Sequence, residues 1–172
     1  MDLSFTRIVP SNLEPSRLER NISAPSRWPQ WFHTLDAVKG PPFQVGSQVT
    51  LLIDPNKGSH KKFELVVQVI EHIPNSKLVL RVINDSTGRL TRLFDRLDWI
   101  VELEPHGQGT LIKGTASAHT RSWRSRLIGR VAGKILLNQV YYPNIMKLAG
   151  LKQPFSTEIP PQKLGLPQSL TQ

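Results

Sequence analysis

Hydrophobic and polar positions alternate with a period of two through the middle of the chain. Val49, Leu51 and Ile53 alternate with Gln48, Thr50 and Asp54. Phe63, Leu65, Val67 and Val69 alternate with Glu64 and Gln68, and Leu78, Leu80 and Val82 with Lys77 and Arg81. Next, Leu93, Asp95, Leu97, Trp99, Val101 and Leu103 share one parity, against Arg92, Arg96, Asp98, Glu102 and Glu104. In the last such segment Ile112, Gly114, Ala116 and Ala118 share a face almost free of bulk, opposite Lys113, Thr115, Ser117, His119 and Arg121. Such alternation predicts half-buried strands. Pro55–Ser59, Pro74–Ser76, Asn84–Gly88 and Pro105–Gly109 are turn sequences short enough for antiparallel hairpins. An earlier strand is predicted over Leu3–Val9, ended by Pro10.

Elsewhere the period is helical. Ser11 with Glu14 has the spacing of a capping box and predicts a helix over Asn12–Asn21. After Ala24-Pro25, Trp28, Trp31, Phe32 and Leu35 have the spacing of a second short helix, an aromatic stripe expected in the core. Asp36–Ser47, with Gly40-Pro41-Pro42 and Gly46, is expected to be a loop. Ser122–Gly150 predicts one long helix, capped by Ser122. At about 100° per residue, Ile128, Val131, Ala132, Ile135, Tyr142, Met146 and Ala149 fall on one face, with Asn138 and Gln139 on or beside it. Arg126, Arg130 and Lys134 point the other way. Pro143 clashes with the carbonyl of Gln139, which predicts a kink over Asn138–Tyr142.

The order of elements is strand, two short helices, antiparallel strands, long helix. It predicts an α+β fold of the helix-grip kind, a curved antiparallel sheet of six or seven strands around the C-terminal helix. The expected domain is 1–151, and 152–172 is a Pro-rich tail. Asp95 has two readings. A bulge turns it to solvent, or it is a buried carboxylate that needs a cationic or hydrogen-bonding partner.

Composition narrows the classes. The chain has 172 residues, no cysteine and a formal charge of +9. That removes disulfide scaffolds, thiol nucleophiles and zinc-thiolate sites. His33, His60, His72, His106 and His119 lack ligand spacing, so no metal and no cofactor is expected. No apolar run approaches the ~20 residues of a spanning helix, and the start lacks a signal-peptide pattern, which predicts a cytoplasmic protein. From Pro105 to Thr157 there is no Asp or Glu. That field favours anionic partners, here an anionic membrane met through Arg126, Arg130 and Lys134. Nucleic acid is disfavoured, since no binding motif or basic–aromatic alternation accompanies the charge.

Several short stretches carry a family resemblance. They are Ile8-Val9-Pro10, Trp28 with Trp31, Val45-Gly46-Ser47, Ile73-Pro74-Asn75 then Leu78, and Trp99-Ile100-Val101-Glu102-Leu103-Glu104-Pro105 then Gly109-Thr110. In this order, over Leu3–Leu151, the chain resembles the START-like (SRPBCC) superfamily of polyketide cyclases/dehydrases and lipid-transport domains. Val9-Pro10 stands where that superfamily commonly has Ala-Pro. The resemblance implies a hydrophobic cavity between sheet and long helix; a volume of about a few hundred Å³ or more would suit a binder or an enzyme, and no cavity would favour an interaction module. It implies a lining drawn from Val67, Leu80, Val82, Leu93, Trp99, Ile112, Gly114, Ala116, Ile128, Val131, Ile135, Gln139, Tyr142 and Met146, with Asp95 a further wall residue. Gln139 or Tyr142 would be its polar handle. The expected function is binding or carriage of a hydrophobic small molecule: lipid, quinone, isoprenoid or polycyclic aromatic. One alternative is a cyclase/dehydratase using Asp95, Tyr142 and His119 or His72; another is a protein-interaction module. No shared catalytic motif transfers a catalytic residue.

Overall fold

The computed structural model describes residues 2–54, 62–136 and 142–150, without the side chains of 132–136. A seven-stranded antiparallel sheet runs β1-β7-β6-β5-β4-β3-β2. Its strands are β1 (Asp2–Ser11), β2 (Leu35–Lys39), β3 (Gln48–Ile53), β4 (Phe63–Ile73), β5 (Lys77–Asp85), β6 (Phe94–His106) and β7 (Gly109–Thr120). The helices are α1 (Pro15–Ile22), α2 (Trp28–Trp31, entered through a 3₁₀ turn at Pro25–Arg27), α3 (Arg89–Leu93), α4 (Trp123–Leu136) and α5 (Tyr142–Leu148). β1 and β2 form opposite edges of the sheet, so the α1–α2 segment crosses between them.

Register puts the alternating apolar residues on one inner face. Val9 pairs with Ile112, Leu103 with Ile112, Leu80 with Trp99, and Val49 with Val67. Val9, Val49, Val67, Leu65 and Ile112 are fully buried there with Leu18 and Ile22 of α1. Each such side chain is worth roughly 1.5–3 kcal/mol of burial. Trp28 packs at 5.2 Å from both Trp31 and Phe43, making the aromatic stripe part of the core.

Local chemistry overrides several sequence expectations. α1 starts at Pro15, because the residue before a proline is driven to extended backbone and Glu14 has ψ 152°. Ser11 remains in β1. Its hydroxyl donates to the Ala149 carbonyl (3.0 Å) and accepts from the Leu13 N–H (3.1 Å), so it ties β1 to the end of α5 rather than forming a capping box. The second helix stops at Trp31, and Leu35–Lys39 pairs with β3 instead of looping. A register shift between Leu35 and Ala37 hides that short edge strand from periodicity. Leu93 closes the helical turn α3 and does not join β6. This turn forms because the buried Asp85 carboxylate accepts the N–H groups of Arg89, Leu90 and Thr91, each at 3.1 Å.

The predicted C-terminal helix is described in two stretches. α4 and α5 cover 123–136 and 142–148, and the expected kink lies in large part outside the described residues. The Ser125 N–H donates to the Ser122 hydroxyl (3.2 Å), the cap expected of Ser122. Pro143 is the second residue of α5. The tail from 152 lies outside the described residues. Among the described residues no helix is long and apolar enough to cross a membrane.

Candidate functional site

A cavity of about 20 Å³ lies between the inner face of β5–β6 and the helices. Leu78, Leu80, Trp99 and Val101 form its floor. Ile22, Trp28, Trp31 and Phe32 wall one side, and Asn144 and Ile145 of α5 close it. The indole N–H of Trp28 donates to the Ile22 carbonyl (2.8 Å) and that of Trp31 to the Asn21 carbonyl (3.3 Å). Those rings are therefore pinned with their polar edges spent on backbone, and they offer the cavity carbon.

Asn144 differs from every other lining residue in carrying an amide. It is 2% exposed. The His33 N–H donates to its Oδ1 at 2.7 Å, which fixes which end of the amide is oxygen. Its Nδ2 has no hydrogen-bond partner among the described residues. An unspent buried donor costs about 1–3 kcal/mol, so a group that satisfies it gains by that amount. The volume admits roughly one water, for which about 10–15 Å³ suffices. Yet a buried water needs two to four polar partners, and these walls are almost wholly carbon. An oxygen carried on an apolar body suits such a site better.

The inner face continues beyond the cavity. Phe5, Leu97, Trp99 and Ala116 share it by register and are half-buried. Arg7 stands on the same face, opposite Gly114 in the β1–β7 pairing, and is exposed.

The residues expected to line a cavity are dispersed. Leu80 and Trp99 do line this one. Val67 and Ile112 are sealed in the core, and Val82 and Met146 pack against it half-buried. Ala116 lies on the half-open strip, Gly114 is buried in β7, and Leu93 sits in α3. Asp95 is the residue at the bulge between Phe94 and Arg96, and it is exposed and bonded to Arg121 Nε at 2.6 Å. It is a surface ion pair, not a wall. Ile128 and Val131 are also corrected, since they are 50% and 59% exposed. α4 meets the sheet through Gly129, where a Cβ would lie 2.9 Å from Leu3 Cδ1, and that turns the apolar positions outward. Arg126, expected on the free face, is half-buried instead. Tyr142 is exposed; Gln139 and the side chains of Ile135 and Lys134 are outside the described residues.

Acid–base candidates are likewise apart from the cavity. His72 bonds Glu19 (2.7 Å) and His119 bonds Asp2 (2.9 Å). Among the described residues no cluster of His, Asp and Glu could hold a metal. The groups whose proton affinity the fold changes lie elsewhere too. Arg81 is raised by its hydrogen bond to Asp98, against the opposing effect of burial. Burial would raise Asp85, but hydrogen bonds from Thr87, Thr91 and Arg89 outweigh it and leave the carboxyl low. Asn144 had no signal in the sequence. Its helical neighbours Ile145 and Leu148 mark a buried face, but only the approach of His33 makes the amide half-satisfied.

No protein-family model matches the sequence, and no curated protein sequence matches it. Solved structures do resemble the fold. Ara h 8.0201 superposes with TM-score 0.67 at 11% identity, over 87% of this chain and 97% of that one. Norcoclaurine synthase from Thalictrum flavum gives 0.65 at 10% identity, over 87% and 86%. The di-domain ARO/CYC StfQ of the steffimycin biosynthetic pathway gives 0.66 at 13%, over 87% of this chain but 49% of StfQ. Identities this low speak for fold alone. With its sheet order, its crossing helices between the two edge strands and these superpositions, the chain has a helix-grip fold, shared with these three structures.

Proposed function

We propose that this protein binds a hydrophobic small molecule on the inner face of the sheet, in the space floored by Trp99 and closed by Asn144. The observation that carries the reading is the Asn144 amide. It is a buried donor with no partner among the described residues, set among aromatic and aliphatic walls. Such a site takes a ligand by apolar contact, at about 25 cal/mol per Å², and orients it by one hydrogen bond to a carbonyl or ether oxygen. Quinones and polycyclic aromatic ketones have that chemistry. A norcoclaurine synthase of the same fold holds dopamine and hydroxybenzaldehyde, which supports an aromatic occupant.

Any such ligand is larger than 20 Å³. Entry therefore widens the cavity, by separating α5 from α2 and extending along the half-buried strip of Phe5, Leu97 and Ala116. Anthraquinone and anthracene share a tricyclic shape and differ in the carbonyls. Titrated against tryptophan fluorescence and checked by native mass spectrometry, both should bind, anthraquinone the more tightly. If neither binds, the reading fails.

A further inference from the structure

We propose that the outward face of α4 docks the protein on the surface of an anionic lipid membrane. The helix sits on β1 and the start of β6 through its small residues. Ser125 is buried, and a Cβ on Gly129 would come within 2.9 Å of Leu3 Cδ1 and 3.1 Å of Phe94 Cε1. Seated this way, α4 presents its large apolar side chains to solvent. Trp123 is 64% exposed, and Leu127 and Val131 are each 59% exposed. They follow one another at i, i+4 and i+8, one ridge along the helix.

The ridge is flanked by cations. The Arg124 guanidinium lies 5.5 Å from the centre of the Trp123 ring, and Arg130 is exposed. No acidic residue occurs anywhere from Pro105 to Thr157. An apolar ridge with arginine beside it and no carboxylate is the composition of a helix that lies in the headgroup plane. The aromatic ring then sits at the interface and the cations pair with anionic headgroups. A second copy of this chain would bring the Arg124 and Arg130 cations of one helix against those of the other across a two-fold axis, with no acid on α4 itself to offset them.

The test is sedimentation with vesicles of phosphatidylcholine alone and of phosphatidylcholine with phosphatidylserine, at low and high salt. The wild type should sediment with the anionic vesicles at low salt, and much less at high salt. Leu127→Glu and Val131→Glu should each weaken this at least about tenfold. Leu127→Ser, gentler on the fold, should weaken it less. Ile8→Glu, at an exposed position on the outer sheet face, should bind as wild type does. Trp123 emission should shift to the blue on binding, and Trp123→Phe should remove the shift. No sedimentation at low salt overturns the proposal. So does salt-sensitive binding that Leu127→Glu and Leu127→Ser leave unchanged, which is adsorption of a basic protein by its overall charge. A dimer that Leu127→Glu disperses, or a loss of anthraquinone uptake in Leu127→Ser, assigns the face to a second copy or to the ligand site and overturns it equally.

Discussion

The backbone N–H of His33, just past the end of α2, donates to Oδ1 of Asn144 in α5 at 2.7 Å. This one bond joins the helices that close the cavity and commits the amide so that its NH₂ end has no partner among the described residues. Asn144→Leu should therefore lower stability by about 1 kcal/mol, since the His33 N–H loses its acceptor. It should also erase the preference for anthraquinone over anthracene, a loss of about tenfold for each 1.4 kcal/mol. Parallel titrations of the two probes and urea unfolding measure both effects.

Gly109 opens β7 against the last residue of β1. A Cβ there would overlap the Ser11 carbonyl oxygen, a backbone atom already fixed by strand pairing. Gly109→Ala should cost more than about 3 kcal/mol. Because Ser11 also holds the Ala149 carbonyl, the loss should reach α5. Hydrogen exchange would show α5 amides losing protection along with those of β1.

Asp85 should make stability depend on acid. Its carboxylate accepts from the N–H groups of Arg89, Leu90 and Thr91 and from the hydroxyls of Thr87 and Thr91. Burial acts to raise its pKa, the hydrogen bonds outweigh that, and the folded value lies below the usual carboxylate range. The contribution is thus present above the unfolded pKa, near 4, and disappears as pH falls through the lower folded value. Asp85→Ala should lose about 1–3 kcal/mol at neutral pH. The gap from wild type should narrow in urea titrations carried below the folded pKa.

Gly129 sets the seat of α4. Gly129→Leu should destabilise by about 1–3 kcal/mol, because Leu3 and Phe94 must give way. Thermal unfolding followed by far-ultraviolet circular dichroism measures it. Ser125→Ala is the mild comparison. It removes a hydroxyl within hydrogen-bond distance of Ser122 Oγ but adds no volume, and should cost less.

The sheet was legible in the sequence, because a period of two states which side chains share a face and one face must be dry. Leu51, Val67, Leu80 and Ile112 are buried as the alternation requires. The small inner face of β7 was legible for the same reason, and the aromatic stripe of Trp28, Trp31 and Phe32 by its helical spacing. What periodicity cannot say is which face of an element meets the rest. For α4 the apolar grouping of Ile128 and Val131 pointed inward on hydrophobicity. The tertiary structure places Gly129 and Ser125 there instead, because closeness of approach to Leu3 and Phe94 admits only small side chains. The polar group at the cavity was equally a tertiary decision. Asparagine at 144 is an ordinary helix residue until a backbone N–H more than a hundred residues earlier takes one end of its amide and leaves the other buried.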